Sequence, residues 1–393
     1  MRAAPRGTAV RTLKLRQAPF PSSLPVSGQS GNPAADGRKG SHGMKVLIVS
    51  TPWYPSPPIA YGGIELVTWN LARGLAGLGC DVTLFAPPGE VESDARIRRV
   101  RCVAGDLADP HPSVEPDHLA GLSALLDRES FDVVSDHTVA GAATALRAGV
   151  PCAVTAHREL IGERRAIYGR LASEAALVAI SRRQAAAAAG MPVARVIPHG
   201  VDTDRLRPVE TPSRDYLLFL GSMNENKGAD LAVEVARISG RRLVIAAKCS
   251  EPGEIEYFES RIRPELDGQV SFVGEVGGEA KRAIIANAAA LLFTTRWDEA
   301  FGLVVAEALS CGTPVVAFEV GAATEAIDHG RSGYLVRTAA EMAAAVAELG
   351  SLSPEHGRAV ARLRYDYRVM ARSYLELFQE IADPTDLRLR REA

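Results

Sequence analysis

Twice along this chain, short apolar runs of strand length alternate with longer segments of helical periodicity, and a polar, proline-bearing link, Thr203–Arg214, separates the two series. Apolar runs without polar alternation are strands buried on both faces, which belong to parallel sheets covered by helices on either side. In the first series the strands are expected at Lys45–Ser50, Asp81–Ala86, Arg98–Val103, Asp132–Asp136, Cys152–Ala156, Leu177–Ile180 and Arg195–Ile197, with helices at Ile64–Leu78 and Ala140–Ala148 among them. In the second they are expected at Tyr216–Leu220, Leu243–Ala247, Val270–Val273, Ala290–Phe293, Val315–Phe318 and Tyr334–Val336. The expected fold is α/β, with two Rossmann-like domains facing a cleft. At 393 residues the chain exceeds what one core usually fills. The expected boundaries are a disordered basic extension over 1–43, domains over 44–205 and 206–360, and a C-terminal amphipathic helix and tail over 361–393. That helix is read over Glu355–Ile381, where Val360, Leu363, Tyr367, Tyr374, Leu377 and Phe378 recur at roughly helical spacing.

Composition removes several classes of function. The formal charge is only −2, which argues against a nucleic-acid partner. Residues 1–43 carry seven Arg or Lys against Asp36, are rich in Pro, Gly and Ser, and hold no apolar core of signal-peptide length. An Arg-rich, acid-poor leader also suits a transit peptide, but Met44 stands directly before the first strand, and a non-structural extension upstream of a natural start is the expectation. Cys80, Cys102, Cys152, Cys249 and Cys311 are scattered without metal-ligand spacing, as free thiols in a reducing compartment are. No apolar run approaches the roughly 20 residues of a membrane span. A cytoplasmic protein is expected. The loop after the first strand, TPWYPSPPIAYGG, lacks the G-x-G-x-x-G of a nicotinamide site. Gly74, Gly77 and Gly79 follow a helix and precede a strand, and are read as serving helix termination and close packing.

The densest chemistry lies in RWDEAFGLVVAEALSCGTPVVAF, Arg296–Phe318. Glu299 stands before a short helical run and Glu307 within it, while Gly312 and Pro314 end the run before a strand. A helix opening at Phe301-Gly302 directs unsatisfied N–H groups outward, which suits an anion or a polyol. Two ionised carboxylates, acceptors only, can each take a pair of sugar hydroxyls. A solvated surface helix would carry the same residues.

Read with its neighbours, this segment resembles glycosyltransferase family 4, the retaining nucleotide-sugar transferases of the GT-B fold. The resemblance spans about Met44 to Ile381. It rests on Glu299-AFGLVVA-Glu307 followed by ALSCGTPVVA, with YGG at Tyr61–Gly63, SDHT at Ser135–Thr138, TAHRE at Thr155–Glu159, PHGVD at Pro198–Asp202, GSMNENKG at Gly221–Gly228 and VGAATEAI at Val320–Ile327. It implies a donor-sugar role for Glu299 and a donor contact for His157, the two expected catalytic residues. It implies a ribose contact for Glu307, a phosphate contact for Lys227, and sugar contacts for the amides of Phe301, Gly302 and Leu303. Gly62 and Gly63 would let backbone approach the donor or acceptor, although a plain turn also explains them, and Glu325 would lie near the nucleotide. His137 is left open, and at His199, where relatives more often carry Asn, a satisfied turn residue is expected.

One departure stands out. Relatives usually carry Arg directly after the glycine that ends this strand, and this chain has Ser222, which offers a neutral hydroxyl in place of a bidentate fork. Arg296 is a conjectural substitute. No Asp-x-Asp occurs where a metal–diphosphate bridge is expected, so neither metal nor cofactor is expected beyond the donor, a UDP- or GDP-linked sugar. The expected reaction transfers a hexose from a nucleoside diphosphate to an acceptor hydroxyl with retention. A nucleotide-sugar epimerase of the same fold and a non-catalytic sugar-nucleotide binder are the alternatives. The acceptor is not encoded in loops such as Pro55–Tyr61 and Gly105–Asp117. A lipid-linked acceptor would bring peripheral membrane contact, for which Arg158, Arg164, Arg165 and Arg170 are suited, as they also are to a solvated helix face.

Overall fold

A computed structural model describes residues 43–89, 93–105 and 111–383. The leader read at 1–43 therefore lies outside the described residues except for Gly43, as do 106–110 of the loop 105–117.

Seven parallel strands form the first sheet: β1 (Lys45–Val49), β2 (Asp81–Ala86), β3 (Ile97–Arg101), β4 (Val133–Asp136), β5 (Cys152–Ala156), β6 (Ala176–Ala179) and β7 (Val193–Val196). Their spatial order is β3-β2-β1-β4-β5-β6-β7. Six more parallel strands form the second: β8 (Tyr216–Ser222), β9 (Arg242–Lys248), β10 (Val270–Gly274), β11 (Ala290–Phe293), β12 (Val315–Phe318) and β13 (Gly333–Val336), in the order β10-β9-β8-β11-β12-β13. Strand ends depart from the sequence reading by one or two residues, with β8 running on to Ser222. Strands such as Val46–Val49 and Ala290–Phe293 are buried throughout, because helices cover both faces of each sheet. In both sheets the order reverses beside the first strand, between β1 and β4 and between β8 and β11. Crevices at such switch points, beyond the carboxyl ends of the strands, are where ligands bind in open α/β sheets.

The terminal helix read over Glu355–Ile381 is two helices, Pro354–Arg364 and Tyr367–Ala382. The break has a hydrogen-bonding cause. Val201 N–H donates to Tyr365 O at 2.7 Å and Tyr367 N–H donates to Val201 O at 3.0 Å, so backbone groups that would continue the helix pair instead with Val201, in an isolated bridge outside both sheets. Asp366 then caps the second helix, accepting from Arg368 N at 2.9 Å. Val360 and Tyr365 pack in the core of the second sheet. Met370, Tyr374 and Phe378 pack in the first, against Trp69 and Leu75 of the helix Gly63–Gly77. The chain thus returns to the first sheet at Tyr365–Tyr367, later than the boundary read at 360. Tyr374 and Phe378 are wholly buried, each worth roughly 2 kcal/mol of transfer free energy, and Tyr374 OH lies 2.8 Å from Thr155 Oγ1 on β5.

All five cysteines are free. Among the described residues no helix is long and apolar enough to cross a membrane.

Candidate functional site

The carboxyl ends of the two sheets face a single cleft of about 800 Å³. Of the residues singled out in the sequence, Gly62, Gly63, His157, Ser222, Lys227, Glu299, Phe301, Gly302, Leu303 and Glu307 all line it. Glu325 does not.

The second sheet supplies the charged wall. Beyond β8, the Asn224 side chain accepts from Lys227 N at 3.1 Å and caps a single turn, Glu225–Lys227, that presents Lys227 to the cleft. Its ammonium lies 2.6 Å from Glu299 Oε1 and 5.6 Å from the centroid of the Trp297 ring, while Trp297 Nε1 donates to Glu299 Oε2 at 3.3 Å. Both oxygens of Glu299 are therefore engaged. Gly302, at φ +85°, turns the chain into the helix Leu303–Ser310, and a Cβ there would lie 2.9 Å from Phe293 Cζ. The N–H groups of Phe301, Gly302 and Leu303 find no acceptor within the described chain, as the first turn of a helix requires. Phe301 itself is an anchor, its ring packed on His199 and Tyr365.

Glu307 is 1% exposed. Lys281, from the helix Gly278–Asn287, meets its Oε1 at 2.6 Å, and its Oε2 has no partner. A buried acceptor left unmatched costs about 1–3 kcal/mol, which a ligand donor would recover.

The first sheet supplies a wall centred on three histidines, with Arg158, Glu159 and Arg164 also lining the cleft. His157 Nε2 lies 3.0 Å from His137 Nδ1, His157 Nδ1 lies 3.1 Å from His199 Nε2, and His137 Nε2 lies 3.1 Å from Ser135 Oγ. Burial pushes the three imidazoles down, His157 to about 3, so all are neutral at pH 7. His199 is not the satisfied turn residue read from the sequence, since its Nδ1 is buried without a partner. Glu65, which the sequence reading passed over, also lines the cleft. Its carboxyl accepts from Thr51 Oγ1, and burial lifts it to about 7. Gly63 lies against Leu303 of the opposite wall, where an added Cβ would be 3.3 Å from Leu303 Cδ1.

Two expectations are corrected. Glu325 accepts from the N–H groups of Arg182, at 3.1 Å, and Arg183. These open the helix Arg182–Ala187, whose unsatisfied donors take the carboxylate away from the cleft. Arg296 forms a fork with Asp230 at 2.9 and 2.7 Å and donates to Glu225 O at 2.6 Å. Asp230 is itself held by Tyr257 OH at 2.6 Å, so Arg296 is committed elsewhere and cannot replace an Arg at 222. Lys281 left no local signal because it acts on Glu307, far away in the chain, whereas Lys248, which also lines the cleft, pairs with the nearby Glu251 and Glu254. Among the described residues, no three His, Cys, Asp or Glu side chains are grouped to hold a metal ion.

Comparison with known proteins follows the same division. The model described as "Glycosyltransferase Family 4" matches residues 61–205, and that described as "Glycosyl transferases group 1" matches residues 214–351. A D-inositol 3-phosphate glycosyltransferase of Pseudarthrobacter chlorophenolicus is 27% identical over 337 residues, covering 70% of this chain and 78% of the relative. Among solved structures, AviGT4, a glycosyltransferase involved in avilamycin A biosynthesis, superposes with a TM-score of 0.67 at 28% identity over 86% of this chain and 98% of that one. Anabaena HepE, solved in complex with UDP-glucose, has a TM-score of 0.68 at 19% identity over 86% of this chain and 99% of its own, a likeness of fold alone.

Proposed function

The chain belongs to glycosyltransferase family 4, and on that premise we propose that it moves a hexose from a nucleoside-diphosphate sugar to an acceptor hydroxyl with retention at the anomeric carbon. The observation that carries this reading is the pair of lysine-held carboxylates in the cleft, Lys227–Glu299 and Lys281–Glu307, with Glu307 Oε2 unmatched. A ribose hydroxyl completes Glu307. A diphosphate draws Lys227 away from Glu299, and the freed carboxylate takes a hydroxyl of the donor sugar. The N–H groups at the start of Leu303–Ser310 donate to further sugar oxygens.

In the reaction the bond from the anomeric carbon to the leaving phosphate oxygen breaks, and a bond to the acceptor oxygen forms on the same face. The acceptor proton passes to the departing phosphate. Positive charge that develops on the sugar lies near Glu299, and negative charge on the diphosphate lies near Lys227. His157 is a neutral wall residue, oriented by His137 and His199, and both of its nitrogens are already in use. Lysine and helix-terminal donors are the groups proposed to hold the diphosphate, without a metal ion.

A thermal-shift panel of UDP-, GDP- and ADP-sugars tests the donor, since a ligand at one hundred times its Kd stabilises by about 2.7 kcal/mol. One nucleotide class should raise the melting temperature, with and without EDTA. Product analysis by NMR with added acceptors, D-inositol 3-phosphate among them, should then show an α-linked product from an α-linked donor. Stabilisation by none of the donors, or an inverted product, would sink the reading. Interconversion of the sugar without acceptor would mark an epimerase instead.

A further inference from the structure

A nucleoside diphosphate brings more than one full negative charge into the cleft, and bond cleavage concentrates more of it on the leaving oxygen. Lys227 is a single cation. At the carboxyl end of β8 the side chain is Ser222, a neutral hydroxyl that accepts from Asn224 Nδ2 at 2.7 Å. The register of the second sheet places another cation beside it. Ser222 pairs with Lys248, the last residue of β9, and Met223 N donates to Lys248 O at 2.8 Å. Paired positions on neighbouring strands point their side chains to the same face, with strands roughly 4.8 Å apart. Lys248 thus starts from the strand position directly beside the one from which a long side chain at 222 would extend. Lys248 lines the cleft and is 3% exposed.

We propose that Lys248 is the second diphosphate-binding cation of this chain, supplied from β9 because β8 ends in Ser222. The proposal rests on the nucleotide-sugar reading above. Lys248 Nζ lies 2.7 Å from Glu254 Oε2 and 2.6 Å from Glu251 Oε1, and 5.4 Å from the centroid of the Tyr61 ring. The two glutamates differ in kind. Glu254 is buried and also accepts from Ser250 N at 3.0 Å and Glu251 N at 3.2 Å, so it is a fixed counter-charge. Glu251 sits at the rim with its side chain 41% exposed, and such a surface pair is weakly held. A phosphate oxygen displaces Glu251 and takes its place on the ammonium, whose three donors allow Glu254 and the diphosphate to be bound together.

Isothermal titration of UDP, GDP, uridine and guanosine against the full chain tests this. Lys248→Met should weaken the bound diphosphate about tenfold or more and leave its nucleoside unaffected. Lys248→Met/Glu254→Gln, which leaves no unpaired buried carboxylate, should do the same while melting near the wild type. Ser222→Arg should restore diphosphate affinity in either background, and Glu251→Gln in the wild type should tighten it a few-fold. Unchanged diphosphate affinity in both Lys248 variants, an equal loss for the nucleoside, or no rescue by Ser222→Arg would overturn the proposal. The last two results would reduce Lys248 to a structural tie to Tyr61. If the wild type binds neither diphosphate, the donor reading itself falls, a result distinct from those three.

Discussion

Lys281 Nζ and Glu307 Oε1 lie 2.6 Å apart, each on a different helix, Gly278–Asn287 and Leu303–Ser310. The pair fixes one oxygen of a carboxylate that is 1% exposed and leaves the other without a partner in the cleft wall. Lys281 therefore positions Glu307 and need not touch the donor itself.

Replacing Lys281 with Met should raise the KM for the donor by an order of magnitude or more while changing kcat far less, because the loss falls on nucleotide binding. Breaking a buried pair typically costs 3–5 kcal/mol, and with the Lys281 side chain 19% exposed a value of about 3 kcal/mol is expected. Lys281→Arg should recover most of both. Steady-state kinetics with chemical denaturation checks this, and an unchanged donor KM in Lys281→Met contradicts it.

Glu299→Gln should lower transfer by about 10²–10³-fold, the usual scale for removing one preorganised electrostatic partner of a transition state. Folding should be intact, because the loop is also anchored by Ala322 N donating to Glu299 O at 2.9 Å. The nucleotide should still bind, since Lys227 is released from its counter-charge. Activity near the wild-type level in a folded Glu299→Gln protein would remove Glu299 from the chemistry.

The sheets are legible in the sequence because strands buried on both faces are near-continuous apolar runs, as at Ala290–Phe293 and Val315–Phe318. The Glu pair is legible because one loop–helix junction carries both residues. Contacts decided by tertiary register are not. Lys248 stands beside Ser222 only through the β8–β9 pairing, and Lys281 reaches Glu307 from a separate helix. Glu325 reads as a site residue until the start of Arg182–Ala187 is seen to take its carboxylate. The terminal segment reads as a single helix for a related reason. Its periodicity carries through Tyr365–Tyr367, but pairing with Val201 interrupts the backbone there.

The histidine chain gives an acid-side signature. The three imidazoles have folded-state pKa values below the 6.5 of a free histidine, with His157 near 3. Below pH 6.5 the unfolded chain takes up protons that the folded one refuses, so stability is lost as pH falls from about 6.5 toward 3. His199→Asn should reduce the slope of unfolding free energy over pH 4–6 by up to about 1.4 kcal/mol per pH unit, one proton's worth. A slope identical to that of the wild type would show that His199 is charged or exposed in the folded state.

Glu65 should act with the opposite sign. Its carboxyl is raised from 4.5 to about 7 by burial, against the lowering effect of the Thr51 hydroxyl. Between those two values the folded chain holds a proton that the unfolded chain has lost, so stability falls as pH rises from about 4.5 to 7. Glu65→Gln keeps an acceptor for Thr51 and removes the titration. The variant should match the wild type near pH 4 and exceed it by the order of 3 kcal/mol at pH 8. Urea unfolding at the two pH values measures the difference directly, and equal stability at pH 8 would mean that Glu65 reaches water or a cation in the folded protein.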